Sequence, residues 1–193
     1  MLTASEDIIL YHGSGSEVSV PDLAKCAQYK DFGQGFYLTT SKAQAESFSI
    51  ISLRKAVANG ITGEGQKYGV VSVFQCAKEE LMGLSICEFE AADARWLECV
   101  VAHRRAKGFT HIIEQYSGYD VIGGKIANDA TNATITAYMA GLYGAVGSER
   151  ASRLCASLLL TERLPERLTN QYCFRTQKAL GALHFAESYR VWK

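Results

Sequence analysis

No sign of charge dominates this chain: 20 lysines and arginines stand against 20 aspartates and glutamates in 193 residues. Without net charge there is no overall field to draw it onto phosphate backbones or an anionic membrane surface, so nucleic-acid binding is not favoured. Long hydrophobic runs are missing as well. Nothing approaches the roughly 20 apolar residues of a spanning helix, and the opening MLTASEDIIL has neither the basic region nor the apolar stretch of a secretory signal. A soluble, cytoplasmic protein without membrane partners is expected. Cys26, Cys76, Cys87, Cys99, Cys155 and Cys173 are scattered, with no C-x-x-C pair and no histidine at ligand spacing. Reduced core thiols and no metal site follow. Internal repeats, low-complexity tracts and a linker-like change of composition are also absent, which makes one domain over residues 1–193 the expectation.

What is present is a 48% hydrophobic content, sufficient for a substantial core. Residues 8–11 and 35–40 read as short strands. Residues 41–58 read as a helix, with Ala45, Phe48, Ser49 and Leu53 at helical spacing and Ser41 as N-cap. A glycine-rich loop, NGITGEGQKYG, leads to the strand VVSVFQC. Trp96, Leu97, Val100 and Val101 predict an amphipathic helix over 89–107, closed at Gly108. YDVIGG reads as a strand, 131–142 and 149–160 as helices, and QYCFRT and HFAESYRVW as late strands around a short helix near Lys178. Strands and helices mix without βαβ alternation, so the fold class predicted is α+β.

Three segments concentrate unusual residue choices. In DIILYHGSG an apolar strand stops at His12, Gly13 and Ser14. In DFGQGFYLTT, Gly33 and Gly35 leave backbone bare ahead of Phe36 and Tyr37, which point to opposite faces of a strand. Bare backbone there admits a planar ligand or makes an ordinary bulge; one aromatic belongs to the core and the other is free to stack. In GKIANDAT, Asp129 follows a glycine-rich strand end, either as a helix cap or as a carboxylate offered to a site. Asp120 reads as structural at its strand entry. In AHRRAKG, the cations Arg104, Arg105 and Lys107 suit a helix C-terminus.

YHGS, FGQGFYLTTSKAQAESF and NQYCF, in this order, resemble the three signature segments of the ADP-ribosyltransferase superfamily, in its histidine–tyrosine–glutamate branch. More extensively, LYHGS, PDL, DFGQGFYLTT, YDVIGGKIANDAT and NQYCFRTQKAL resemble a bacterial family of unknown function assigned to that superfamily. The resemblance implies a split, bent β-sandwich with flanking helices and NAD consumed as substrate. It implies that His12 bonds the ribose beside adenine, that the Gly13 backbone holds the nicotinamide carboxamide with Ser14 assisting, and that Tyr37 stacks on nicotinamide; the bare backbone of Gly35 ahead of it is a further cofactor-binding position. Phe48 matches an aromatic that closes the ring's other face, and as a helical apolar residue it reads equally as core. Two positions depart from the pattern. Ala45 stands near a serine that bonds the carboxamide in the polymerases, and Gln171 replaces the glutamate whose charge stabilises the oxocarbenium-like state. The activity implied is mono-ADP-ribosyl transfer to an unidentified acceptor, expected to be a protein, with a carboxylate such as Asp129 standing in for the lost charge. A bacterial toxin held by a small antitoxin-like partner belongs to the same implication. The alternative is a catalytically silent NAD-binding or interaction module. TERLPERLTN lies where the superfamily carries its acceptor-touching loop.

Overall fold

A computed structural model describes residues 2, 6–63, 65–105, 108–126, 129–161 and 169–192, the side chains at 129, 130, 160 and 161 excepted. Strand β1 (Ile8–Ser14) pairs antiparallel with β3 (Tyr68–Cys76), and β3 with β7 (His184–Trp192), in a sheet of order β1-β3-β7. A second sheet has the order β2-β6-β5-β4, from β2 (Phe36–Leu38), β6 (Asn170–Phe174), β5 (Val121–Lys125) and β4 (Ile86–Glu88); only β4 and β5 are parallel. The chain is α+β.

The period of two along each strand makes the layers. Leu10 and Phe74 of the first sheet share one buried core with Phe36, Tyr172 and Phe174 of the second. The first sheet's outer face, with Val71 and Val73, is covered by α1 (Lys42–Ala58) through Ala45. The second sheet's outer face, with Ile122 and Cys173, packs on Trp96 of α3 (Ala94–Arg105), Ile135 of α5 (Asp129–Met139) and Cys155 of α6 (Glu149–Thr161). The order is helix, sheet, sheet, helices. All six thiols are free, and four are buried. Among the described residues no helix is long and apolar enough to cross a membrane.

Ser41 caps α1: its hydroxyl accepts from the Gln44 N–H at 3.3 Å. The helix predicted over 89–107 starts at Ala94 instead. The Asp93 carboxylate accepts from the Trp96 N–H at 2.9 Å, and Phe89 is spent on the sheet, its N–H donating to Gly123 at 2.8 Å. Four short elements have no counterpart in the sequence reading: a 3-10 turn (Leu23–Lys25), α2 (Lys78–Met82), β4, and α4 (Thr110–Gln115). Each is too short to show a period, and β4 exists through its pairing with β5. The short helix near Lys178 is α7 (Gln177–Gly181).

Candidate functional site at the split between the sheets

Among the described residues the two sheets are hydrogen-bonded edge to edge at one point. Tyr11 and Thr39 exchange backbone hydrogen bonds of 2.8 and 3.0 Å, and this pair is an isolated bridge, so β1 and β2 diverge beyond it. Hydrogen-bonding direction alternates along an antiparallel strand, so the N–H and C=O of Gly13 point to the same side as those of Tyr11, into the split. The Tyr37 carbonyl points into it from β2. There the His12 side chain takes the place of a backbone partner: its Nδ1–H donates to that carbonyl at 2.8 Å. The bond fixes the tautomer and leaves Nε2 as an acceptor. Burial lowers the His12 pKa, and the carbonyl bond opposes part of that shift.

The side chains divide between two faces. Across the bridge, the α1-facing side of the first sheet continues into the α3-facing side of the second. Gly13, Tyr37, Thr39 and Gln171 lie on this continuous face, and extending the β2–β6 register by one residue sets Thr39 opposite Gln171. The His12 imidazole lies on the other face, 4.3 Å from the Phe36 ring at the edge of the inter-sheet core. Phe36 is therefore the aromatic of the inter-sheet core, while Tyr37 packs against the core beneath the second sheet's helices. Tyr37 is half-buried, and its hydroxyl bridges the preceding loop, accepting from Phe32 N–H at 2.9 Å and donating to the Gly33 carbonyl at 2.8 Å. Burial raises its pKa well above the usual tyrosine value. Phe48 is 41% exposed and belongs to no core cluster. The Ser14 hydroxyl donates to the Ser16 carbonyl.

Gly13, Gly33 and Gly35 are each a place where the protein packs on its own backbone. A Cβ on Gly13 would lie 2.1 Å from the Ala45 carbonyl oxygen, on Gly35 it would lie 2.4 Å from Cys173 Sγ, and on Gly33 it would lie 2.7 Å from the His103 ring. The close approach read for a planar ligand at Gly33 and Gly35 is made by the protein's own β6 and α3. At Gly33, φ of +83° adds a conformational demand.

Gln171 is 9% exposed and does not stand alone. Its Nε2 donates to Asp31 Oδ2 at 2.6 Å, and Asp31 Oδ1 accepts from Arg104 Nε at 2.8 Å and Nη2 at 2.6 Å. Arg104 Nη1 donates in turn to Asn132 at 2.6 Å. The guanidinium donates twice to one carboxylate oxygen, and the other oxygen holds the amide. The side chain of Asp129, the carboxylate singled out from the sequence, lies outside the described residues, as does residue 162–168 of the TERLPERLTN segment. Asp31 went unremarked in the sequence and Arg104 was read as a helix-end cation. The only signal for Asp31 was its place directly before FGQG. Its partners lie 73 and 140 residues away. Asp120 is structural: burial raises its pKa, but bonds from the Thr176 hydroxyl and Ser85 N–H, with Lys178 alongside, lower it on balance.

A junction of sheets with an outward-facing backbone, a half-buried tyrosine and an amide backed by an ion pair can seat a polar ligand edge-on and orient a hydroxyl at Gln171. No curated protein matches the chain significantly. The family described as protein of unknown function (DUF3990) matches residues 8–185, and the chain belongs to it.

Proposed function

We propose that the chain transfers ADP-ribose from NAD to an acceptor, releasing nicotinamide. The observation that carries this reading is the convergence at the split of the Gly13 backbone, Tyr37 and the Gln171–Asp31–Arg104 chain, at the positions where the resemblance to the ADP-ribosyltransferase superfamily sets its binding groups. In this reading the Gly13 N–H and C=O take the nicotinamide carboxamide as an antiparallel neighbour strand would. His12 Nε2 accepts a ribose hydroxyl, and Phe48 covers the ring from α1.

Cleavage of the nicotinamide–ribose bond builds positive charge on the ribose, and a nearby negative charge lowers that barrier. Gln171 is neutral, but Asp31 draws on its N–H and so enriches Oε1, the atom left to accept a ribose hydroxyl. Asp31 takes the part that the sequence reading gave to Asp129. The test is nicotinamide release by the wild type and by Asp31→Asn, with NAD binding followed by calorimetry. Release that falls by about tenfold or more in the variant, at similar NAD affinity, supports the reading. Equal rates overturn the role of Asp31, and absence of NAD binding overturns the function.

One observation favours a second reading. Arg104 neutralises Asp31 through two hydrogen bonds, which is the arrangement of a structural ion pair. A silent NAD-binding module would bind NAD and release no nicotinamide in the same experiment.

A further inference from the structure

Beyond the far end of β6 from Gln171 lies a cavity of about 350 Å³ whose lining includes Tyr29, Gly33, Gln34, His103, Tyr119 and Arg175. Neither His12, Tyr37 nor Gln171 belongs to it. Among the described residues three buried side-chain polar atoms have no hydrogen-bond partner, and two of them, His103 Nε2 and Arg175 Nε, belong to residues of this lining. His103 is 5% exposed, and its Nδ1–H donates to the Cys99 carbonyl at 2.8 Å. Its proton is thereby held on the far nitrogen, and Nε2 keeps a bare lone pair. Arg175 donates through Nη1 to the Tyr116 carbonyl at 2.6 Å. That bond orients the guanidinium, and the buried Nε is left without a partner; Nε and Nη2 together carry parallel N–H groups that match two oxygens of an oxyanion. Arg175 has no carboxylate partner among the described residues. Asp120, whose carboxylate accepts from the lining residue Thr176, is engaged by that hydroxyl, by Ser85 N–H and by Lys178.

A cation lacking its counter-ion beside a lone pair lacking its donor asks for one group that supplies both. A carboxylate has the oxygens without the proton. A phosphate monoester near its second pKa has a pair of charged oxygens and a P–OH. Tyr29 and Tyr119 bring aromatic rings to the lining, Tyr29 being 64% exposed, and the volume suits a small molecule. We propose that this cavity binds a small aryl phosphate, its charged oxygens on the Nε/Nη2 edge of Arg175, its P–OH on His103 Nε2 and its ring against Tyr29. The proposal is independent of the reaction assigned to the split.

The experiment is an NMR titration of the full chain with phenyl phosphate, inorganic phosphate and benzoate. Saturable shifts at the Gly33, Gln34 and Arg175 amides are expected, with phenyl phosphate bound tightest and benzoate weaker by about tenfold for want of the donor. Arg175→Lys keeps the charge and loses the fork, and it should weaken phenyl phosphate by about tenfold. Tyr29→Ala, at a side chain 64% exposed, should weaken phenyl phosphate alone and leave inorganic phosphate and the thermal midpoint unchanged. Shifts that do not saturate, that map to the split around His12 and Gln171, or that are the same for benzoate overturn the proposal. So does undiminished phenyl phosphate binding by Arg175→Lys. If that variant does not fold, Tyr29→Ala decides, and unchanged phenyl phosphate affinity in it overturns the proposal.

Discussion

At Gln171 the obvious experiment, restoring the glutamate of the resembled branch, meets Asp31. Its Oδ2 lies 2.6 Å from Gln171 Nε2, so a second carboxylate there would face the first at hydrogen-bond distance, and one of the two would have to take a proton or move. Gln171→Glu alone should therefore lower both thermal stability and nicotinamide release. Asp31→Asn combined with Gln171→Glu, which exchanges the two groups, should recover stability and at least part of the activity. A single Gln171→Glu variant more active than the wild type would show that the amide–carboxylate bond is not what places Gln171. Gly13 calls for similar care. A methyl group there would meet the Ala45 backbone, which cannot yield as a side chain can. Gly13→Ala should cost about 3 kcal/mol, seen as a lowered unfolding midpoint, and any loss of NAD binding in it would report the fold before the ligand.

Helix α1 joins the split to the rest of the molecule. Its first turn is tied twice. Ser41 accepts from the Gln44 N–H, and the Gln44 side chain accepts from the hydroxyls of Thr39, at 3.2 Å, and Thr169. Ser41→Ala should cost about 1 kcal/mol in chemical denaturation, and Ser41→Asp should recover most of it. Phe48, one turn after Gln44 and exposed, allows a cleaner test of the helix as a wall of the site. Phe48→Ala should leave the unfolding midpoint within about 0.5 kcal/mol of wild type, because no core contact is lost. Its NAD affinity, read by calorimetry, should fall; unchanged affinity would remove α1 from the site.

For the whole molecule, pH is the informative variable. Burial lowers the pKa of both His12 and His103 below the ordinary 6.5; a bond to a backbone carbonyl opposes the shift in each, and Arg175 adds to it at His103. Below 6.5 the unfolded chain takes up protons that the folded chain declines, so the part of the stability that rests on these two neutral rings falls as pH drops from 6.5 toward the folded values and is gone below them. Asp120 has the opposite sign of charge and a separate window. Its folded pKa lies below the ordinary 3.8, so its contribution persists until the medium is far more acidic. The unfolding midpoint should be flat above about pH 7 and decline as the pH falls below 6.5, with a shallower decline in His12→Asn. An equal slope in that variant would show that His12 is not the source.

The class of fold, the longer strands and helices and the capping of α1 were legible in the residues themselves, because each depends on neighbours a few positions away, whereas the short α2, β4 and α4 were not. The periods of VVSVFQC and the 41–58 segment, and Ser41 ahead of its helix, are local facts. So was the choice between Phe36 and Tyr37 as an either-or, since a strand sends neighbours to opposite faces. Which of them is core was decided only when β2 met β6 and Phe36 came to rest against Phe74 and His12. The glycines show the same limit. Their bareness was plain in DFGQGFY, but only packing disclosed that α3 and β6 fill the space. Asp31, Arg104 and Gln171 mark the boundary most sharply. Each is an ordinary polar residue in its own segment, and hydrogen bonds across 73 and 140 residues have no periodic trace in a sequence. A carboxylate acquires its meaning from the groups that solvate it, and those groups are assembled only by the tertiary fold.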